Sequence, residues 1–129
     1  MATIVCLEEL EIWKLAREQS KKISDLAGSN KFSNDFQLSK QINASAGSVM
    51  DNIAEGFERS GNKEFINFLL IAKGSNGEVR SQLYRAGDRN YIAEEDLKSL
   101  MTENKILSAK IASFIKYLQS SKRKGFRYN

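Results

Sequence analysis

Apolar residues recur along this chain at helical spacing almost from end to end. Over residues 7–27, Leu10, Trp13, Ala16, Ile23 and Leu26 stand three, four or seven apart, with Gln19 and Ser20 filling the turn that lacks an apolar residue. That spacing predicts an amphipathic helix, with Gly28 as its stop. After a polar loop from Gly28 to Ser33, a second helix is expected over about 35–59, capped by Ser33, Asn34 or Asp35. Its face reads Leu38, Ile42, Ser45, Val49, Ile53 and Phe57, and the small residues from Ala44 to Ser48 would let another backbone approach closely. Ser60, Gly61 and Asn62 make a turn into a third helix over 62–87, with Phe65, Phe68, Leu69, Ala72, Val79, Leu83 and Ala86 on its face. Gly74, Ser75 and Gly77 thin its middle. A fourth helix over 94–120 carries Leu97, Leu100, Met101, Leu107, Ile111, Phe114 and Leu118 in a near-heptad repeat, and a basic tail, 121–129, follows.

No proline interrupts these segments, and no run alternates with period two between tight turns, so the fold class is all-α. A chain of 129 residues that is 41% hydrophobic suits one domain over 1–129. Short loops between long helices favour antiparallel neighbours, hence an up-down-up-down four-helix bundle. One excess stands out. Phe65, Ile66, Phe68, Leu69, Leu70 and Ile71 cover more of the helix circumference than one core stripe needs, which places Phe65, Phe68, Leu70 and Ile71 at an expected oligomer interface. The alternative is that single exposed apolar residues are common on monomers.

The chemistry of the side chains excludes more than it offers. There is no histidine, so the commonest general base and metal ligand is missing, along with the Glu-x-x-His pair of di-iron bundles. No metal, cofactor or enzymatic activity is expected. Cys6 is the single cysteine, with no internal partner, and reads as a small apolar filler or an exposed thiol. The run from Gly56 to Gly61 lacks the Lys-Ser/Thr ending of a phosphate-binding loop. Glu55 and Glu78 lie beside small residues in core-forming helices and could pair for acid–base work, but caps, ion pairs or interhelical hydrogen bonds suit them better. Asn52 is read the same way, as a hydrogen-bond partner for a neighbouring helix. The start of the chain is too short and uncharged for a signal peptide, and the longest apolar stretch, Phe65 to Ala72, is broken by Asn67. A cytoplasmic location, away from membrane, is the expectation.

Charge changes the picture only at one end. Residues 105–129 hold seven of the 20 cations and no acid, which leaves 13 cations against all 16 acids in residues 1–104. Cations alternate there with Tyr117, Phe126 and Tyr128, the mix that holds phosphates by charge and stacks on unpaired bases. Lys110, Lys116, Lys122, Arg123, Lys124 and Arg127 are therefore the candidate contacts for RNA or DNA. The alternative is a lysine-rich last turn that complements the helix dipole and keeps the tail soluble. Assembly would tip the balance, because every copy adds the same basic segment to a common field.

A longer pattern runs through the second and third helices: Gln41-Ile42, Ser48-Val49, Asn52-Ile53-Ala54-Glu55-Gly56-Phe57, then Lys63-Glu64-Phe65, Phe68-Leu69, Ala72, Gly74-Ser75, Glu78 and Tyr91-Ile92. With Leu10-Glu11-Ile12-Trp13 and Ala16, it resembles the four-helix-bundle family encoded in intervening sequences of bacterial 23S ribosomal RNA genes, over roughly residues 8–118. Asn52, Glu55, Gly56, Gly74, Ser75 and Glu78 are its motif residues here. The resemblance implies a bacterial, non-enzymatic homopentameric ring with a basic surface suited to nucleic acid. Relatives include the accessory variability protein of diversity-generating retroelements, which implies a protein partner such as a reverse transcriptase. The chain departs from the pattern at Asn43 and Ala44, where relatives usually carry two arginines, and at Met50, where they carry proline. Two cations are lost, so the C-terminal end must supply more of any nucleic-acid contact, and the second helix should run straighter. Two functions fit: a nucleic-acid-binding homo-oligomer, or a scaffold that presents helical surfaces to another protein and binds nucleic acid only incidentally.

Overall fold

A computed structural model describes residues 6–121 of the chain. Lys122, Arg123, Lys124 and Arg127, four of the six candidate nucleic-acid contacts, lie outside the described residues. The first helix, α1 (Glu11–Ala27), starts four residues later than its periodicity predicts. Leu7–Glu9 wind instead as a 3-10 turn, and Leu10 is extended (φ −77°, ψ 118°), which lets the Leu10 side chain bury with Leu7 packed beside it. The expected polar loop after Gly28 contains a short helix, α2 (Asn30–Asn34). Asn30 opens it in the left-handed region (φ 53°), which asparagine tolerates better than most residues. The turn draws Phe32 under the bundle end, where it stacks on Tyr91 with ring centroids 5.3 Å apart.

Of the three possible caps, Asp35 takes the role: its carboxylate accepts from the Leu38 amide at 3.2 Å and starts α3 (Phe36–Glu58). α3 runs unbroken through Met50, where proline would have removed a backbone donor. The third and fourth long helices are α4 (Asn62–Asp88) and α5 (Glu94–Ser120), separated by a turn with Asn90 at φ 60°. α5 opens with Glu94, Glu95 and Asp96, carboxylates placed where the helix dipole favours negative charge. The described residues form helices and connecting turns with no strand among them.

Cross-helix hydrogen bonds give the directions. Arg85 meets Gln41 and Ser75 meets Ser48, so α4 runs antiparallel to α3. Lys22 meets Glu103 and Lys110 meets Glu11, so α5 runs antiparallel to α1. Asn62 reaches the Leu118 carbonyl while Asn76 reaches Asn104, which sets α5 antiparallel to α4 as well. Four long helices thus alternate in direction, each packed on the next and the fourth back on the first. Their inner faces enclose Ile23, Leu38, Ile42, Ile53, Leu69 and Ile111 almost completely.

The α1 stripe is centred on Ile12, Ala16, Gln19, Ile23 and Ala27, while Trp13 and Leu26 sit half-buried at its edge. Gln19 is therefore a core residue (3% exposed) and no gap filler. It belongs to a layer of three buried carboxamides at mid-bundle. Gln19 Nε2 donates to Asn76 Oδ1 (2.9 Å), and Asn104 Nδ2 donates to Gln19 Oε1 (2.7 Å) and Asn76 Oδ1 (3.0 Å). Asn76 Nδ2 donates to the Asn104 carbonyl (3.0 Å), and Arg80 closes the set by donating to Asn104 Oδ1 at 3.2 Å. Every amide oxygen and nitrogen is engaged, which is what makes such a layer tolerable inside an apolar core.

Candidate functional site

The motif residues lie along the seam between α3 and α4. Gly56 allows the closest approach: a Cβ there would stand 2.8 Å from Phe65 Cδ1 and 2.9 Å from Phe68 Cβ. Two turns earlier, the Ser48 and Ser75 hydroxyls share a hydrogen bond of 2.8 Å across the seam. Asn52 donates back to the Ser48 carbonyl (2.8 Å) and hydroxyl (3.0 Å), so it braces that contact from its own helix. Glu55 is exposed and pairs with Arg59 at 2.9 Å, whose guanidinium also lies 5.0 Å from the Phe68 ring centre and 3.5 Å from Glu64. Glu78 is exposed and lies fourteen residues beyond Glu64 on α4, about 21 Å along the axis. The two acids are not brought together.

The apolar run on α4 divides between two environments. Phe65 is 3% exposed and packs edge-on against Phe57 and Phe114, so the chain's own core takes it up and it is not free to meet another subunit. Six apolar residues within seven positions leave the core direction ambiguous, and the inward pull of Leu69, Ala72 and Val79 decides it. Phe68 is half-buried under Arg59, whereas Leu70 (53%) and Ile71 (51%) face outward, as does Tyr84 further along. Between them lie Gly74 and Gly77, and a Cβ at either would meet nothing within 4 Å. The close approach that small residues suggest is therefore realised within the chain at Gly56, Ser48 and Ser75, and not at these two glycines.

At the C-terminal end of α5, Lys116 is exposed and Lys110 is tied to Glu11 at 3.3 Å. Setting aside Lys122, Arg123, Lys124 and Arg127 leaves sixteen of the 20 cations, against sixteen carboxylates that all lie between Glu8 and Glu103. The described body is formally neutral, and the whole excess of positive charge resides in the last eight residues. Phe114 and Tyr117 stack at 5.9 Å beside Leu10 and Ile12, lining a groove of about 420 Å³ between α5 and the start of α1. Cys6 is a half-buried free thiol whose pKa is pushed up by burial and by Glu9, so it stays protonated and weakly nucleophilic.

At the opposite end, Asp35 gathers three donors: the Leu38 amide, the Tyr91 hydroxyl (2.9 Å) and Arg89 (2.7 Å). The Leu38 and Tyr91 hydrogen bonds, helped by Arg89, hold its carboxyl below the ordinary aspartate range. The same bond and partial burial push the Tyr91 phenol up. This cluster fastens the α4–α5 turn to the cap of α3.

The sequence profile of the 23S rRNA-intervening sequence proteins matches residues 8–113, a span that includes all of α1, α3 and α4 and most of α5. The chain belongs to this family. A crystal structure of a protein of unknown function from the S23 ribosomal protein family of Bacteroides thetaiotaomicron has the same fold, with a TM-score of 0.76. The two are 25% identical, over 82% of this chain and 96% of that one. No curated protein matches the chain.

In this 23S rRNA-intervening sequence protein, four of the six motif residues have a structural reading within the chain. Asn52, Gly56 and Ser75 build the α3–α4 seam, and Glu55 pairs at its rim. Gly74 and Glu78 stand on the outer face of α4 with no partner among the described residues. The carboxamide layer was the feature that periodicity alone missed. Its signal was an amide in the stripe of each of three helices, at positions 19, 76 and 104, one turn from Ile23, Val79 and Leu107. Among the described residues no three His, Cys, Asp or Glu side chains cluster as a metal site, and no helix is long and apolar enough to cross a membrane.

Proposed function

We propose that this chain is a non-enzymatic homo-oligomer, a ring of five copies as the family resemblance implies, that binds RNA or DNA through basic segments brought together by assembly. The outer face of α4 carries the reading. Glycine in a helix interior costs about 1 kcal/mol relative to alanine, and nothing inside the chain offsets that at Gly74 or Gly77. Flanked by exposed Leu70, Ile71 and Tyr84, the bare backbone suits the close approach of a helix from another copy. Each copy would then add its four C-terminal cations and Lys116 to one field, which a neutral body cannot generate alone.

Light scattering at micromolar concentration tests the assembly: the native chain should exceed one subunit in mass, and a Leu70→Asp, Ile71→Asp variant should run as a monomer. Gel shifts with single-stranded RNA and duplex DNA test the binding. Affinity should fall steeply with added salt and be lost on deleting residues 122–129. Unchanged binding after that deletion would refute the basic end as the contact surface.

The scaffold reading is favoured by one observation, the sixteen-to-sixteen balance of charge on the described body. In that case nucleic-acid binding is weak and nonspecific, and the native partner is a protein such as a reverse transcriptase.

A further inference from the structure

Asparagine is among the chemically labile residues, and the residue that follows it in the chain sets how labile it is. The main-chain nitrogen of that next residue can close on the carboxamide carbon. Glycine permits this best, with no side chain in the way and the widest choice of backbone angles. Of the asparagines in the sequence, Asn76 alone is followed by glycine. The pair lies in the middle of α4, and the fold puts its labile half at the least accessible point of the bundle.

Asn76 is 0% exposed, and both polar atoms of its carboxamide are engaged: Nδ2 with the Asn104 carbonyl, Oδ1 with Gln19 Nε2 and Asn104 Nδ2. Its own carbonyl accepts from Asn104 Nδ2 at 3.1 Å. The Gly77 N–H belongs to the α4 hydrogen-bond ladder, and helical backbone angles hold that nitrogen out of position to attack. Reaction therefore requires the α4 backbone to leave the helix and the carboxamide to leave its layer, which means parting α1, α4 and α5.

We propose that Asn76-Gly77 is a modification site, latent in the folded chain and uncovered when the bundle opens, at which spontaneous deamidation makes the opening irreversible. The step needs only water. The Gly77 nitrogen gives up its proton and bonds to Asn76 Cγ, the Cγ–Nδ2 bond breaks, and ammonia leaves with that proton. Water then opens the resulting succinimide ring at either carbonyl, leaving an aspartyl or an isoaspartyl residue. Neither product can rebuild the layer. A carboxylate has no hydrogen to donate to the Asn104 carbonyl, and it puts a charge where the amide was fully buried. Arg80, one turn along, is already engaged with Asn104 Oδ1. An isoaspartyl residue routes the main chain through the former side chain, one carbon longer, and breaks the ladder in the middle of α4. Chemical change of the open state thus turns a reversible opening into a loss of native chains. The inference is independent of nucleic-acid binding and of the α4 contact, since assembly over Gly77 would only lower the open population.

The test follows the full chain by peptide mapping and mass spectrometry at mildly alkaline pH, folded in buffer and unfolded in guanidinium chloride. In the unfolded chain, Asn76 should gain one mass unit at least fivefold faster than any other asparagine. In the folded chain it should do so at least a hundredfold more slowly. Converted chains, separated by their extra negative charge and returned to buffer, should unfold at lower denaturant than unconverted ones or fail to refold. Gly77→Ala, where a Cβ meets nothing within 4 Å, should fold normally and slow conversion of the unfolded chain at least tenfold. Asn76→Asp should lower the unfolding midpoint as the aspartyl product does. Equal rates in the folded and unfolded chains overturn the proposal, as does faster reaction at another asparagine. So does an unchanged midpoint for the converted chains or for Asn76→Asp.

Discussion

The α3–α4 and α1–α5 seams join the same kind of helices and are built on opposite terms. α3 and α4 meet backbone to backbone, with Gly56 beneath Phe65 and Phe68 and a direct Ser48–Ser75 bond. α1 and α5 stay further apart, held in depth by the carboxamides of Gln19 and Asn104 and at the surface by two exposed ion pairs, with apolar hollows between. Small residues close a seam, and long ones hold it ajar. What this teaches is that a bundle can be close-packed along one seam and open along another without any change of fold.

Five sets of substitutions would break or sharpen that contrast. Asn104→Ala should be the most damaging, about 3 kcal/mol by urea unfolding, because it leaves Gln19 Oε1 and Arg80 without a partner and opens a cavity. Replacing Gln19, Asn76 and Asn104 together by leucine should cost less than the three single changes summed, since no orphaned amide remains. Gly56→Ala should cost about 2 kcal/mol through overpacking against Phe65 and Phe68, despite alanine's better helix propensity. If it proves neutral, the close approach of α3 and α4 is looser than the contact distances imply. Gly74→Ala and Gly77→Ala should each stabilise the isolated chain by roughly 0.5–1 kcal/mol while weakening self-association in sedimentation runs. Lys22→Ala, at the surface of the open seam, should change unfolding by less than about 0.5 kcal/mol.

Much of this architecture was legible in the amino acids. Four apolar stripes, a cap among Ser33, Asn34 and Asp35, and the small-residue centre of α3 follow from spacing and side-chain chemistry alone, and the structure selects Asp35. The short α2 was not, because five residues of mostly polar sequence carry no period, and Phe32 is recruited by Tyr91 from the α4–α5 turn. The buried amides were hidden for a different reason: periodicity scores a polar side chain as a break in the stripe, whereas here each one completes a neighbour's hydrogen bonds. The outward turn of Leu70 and Ile71 followed from the surplus of apolar residues, but Phe65 could be assigned to the core only once the packing of α4 on α3 and α5 was known. The hollows between α1 and α5 left no trace in the pattern, because the spacing of two helices is a property of their packing and not of either stripe.

The carboxamide layer also offers a clock. Side-chain amide protons on Asn76 and Asn104 are closed off from solvent in the bundle core, so deuterium should replace them only in large openings of the bundle. Their resonances, followed after transfer into heavy water, would time the rarest excursion this protein makes and would register any partner that slows it.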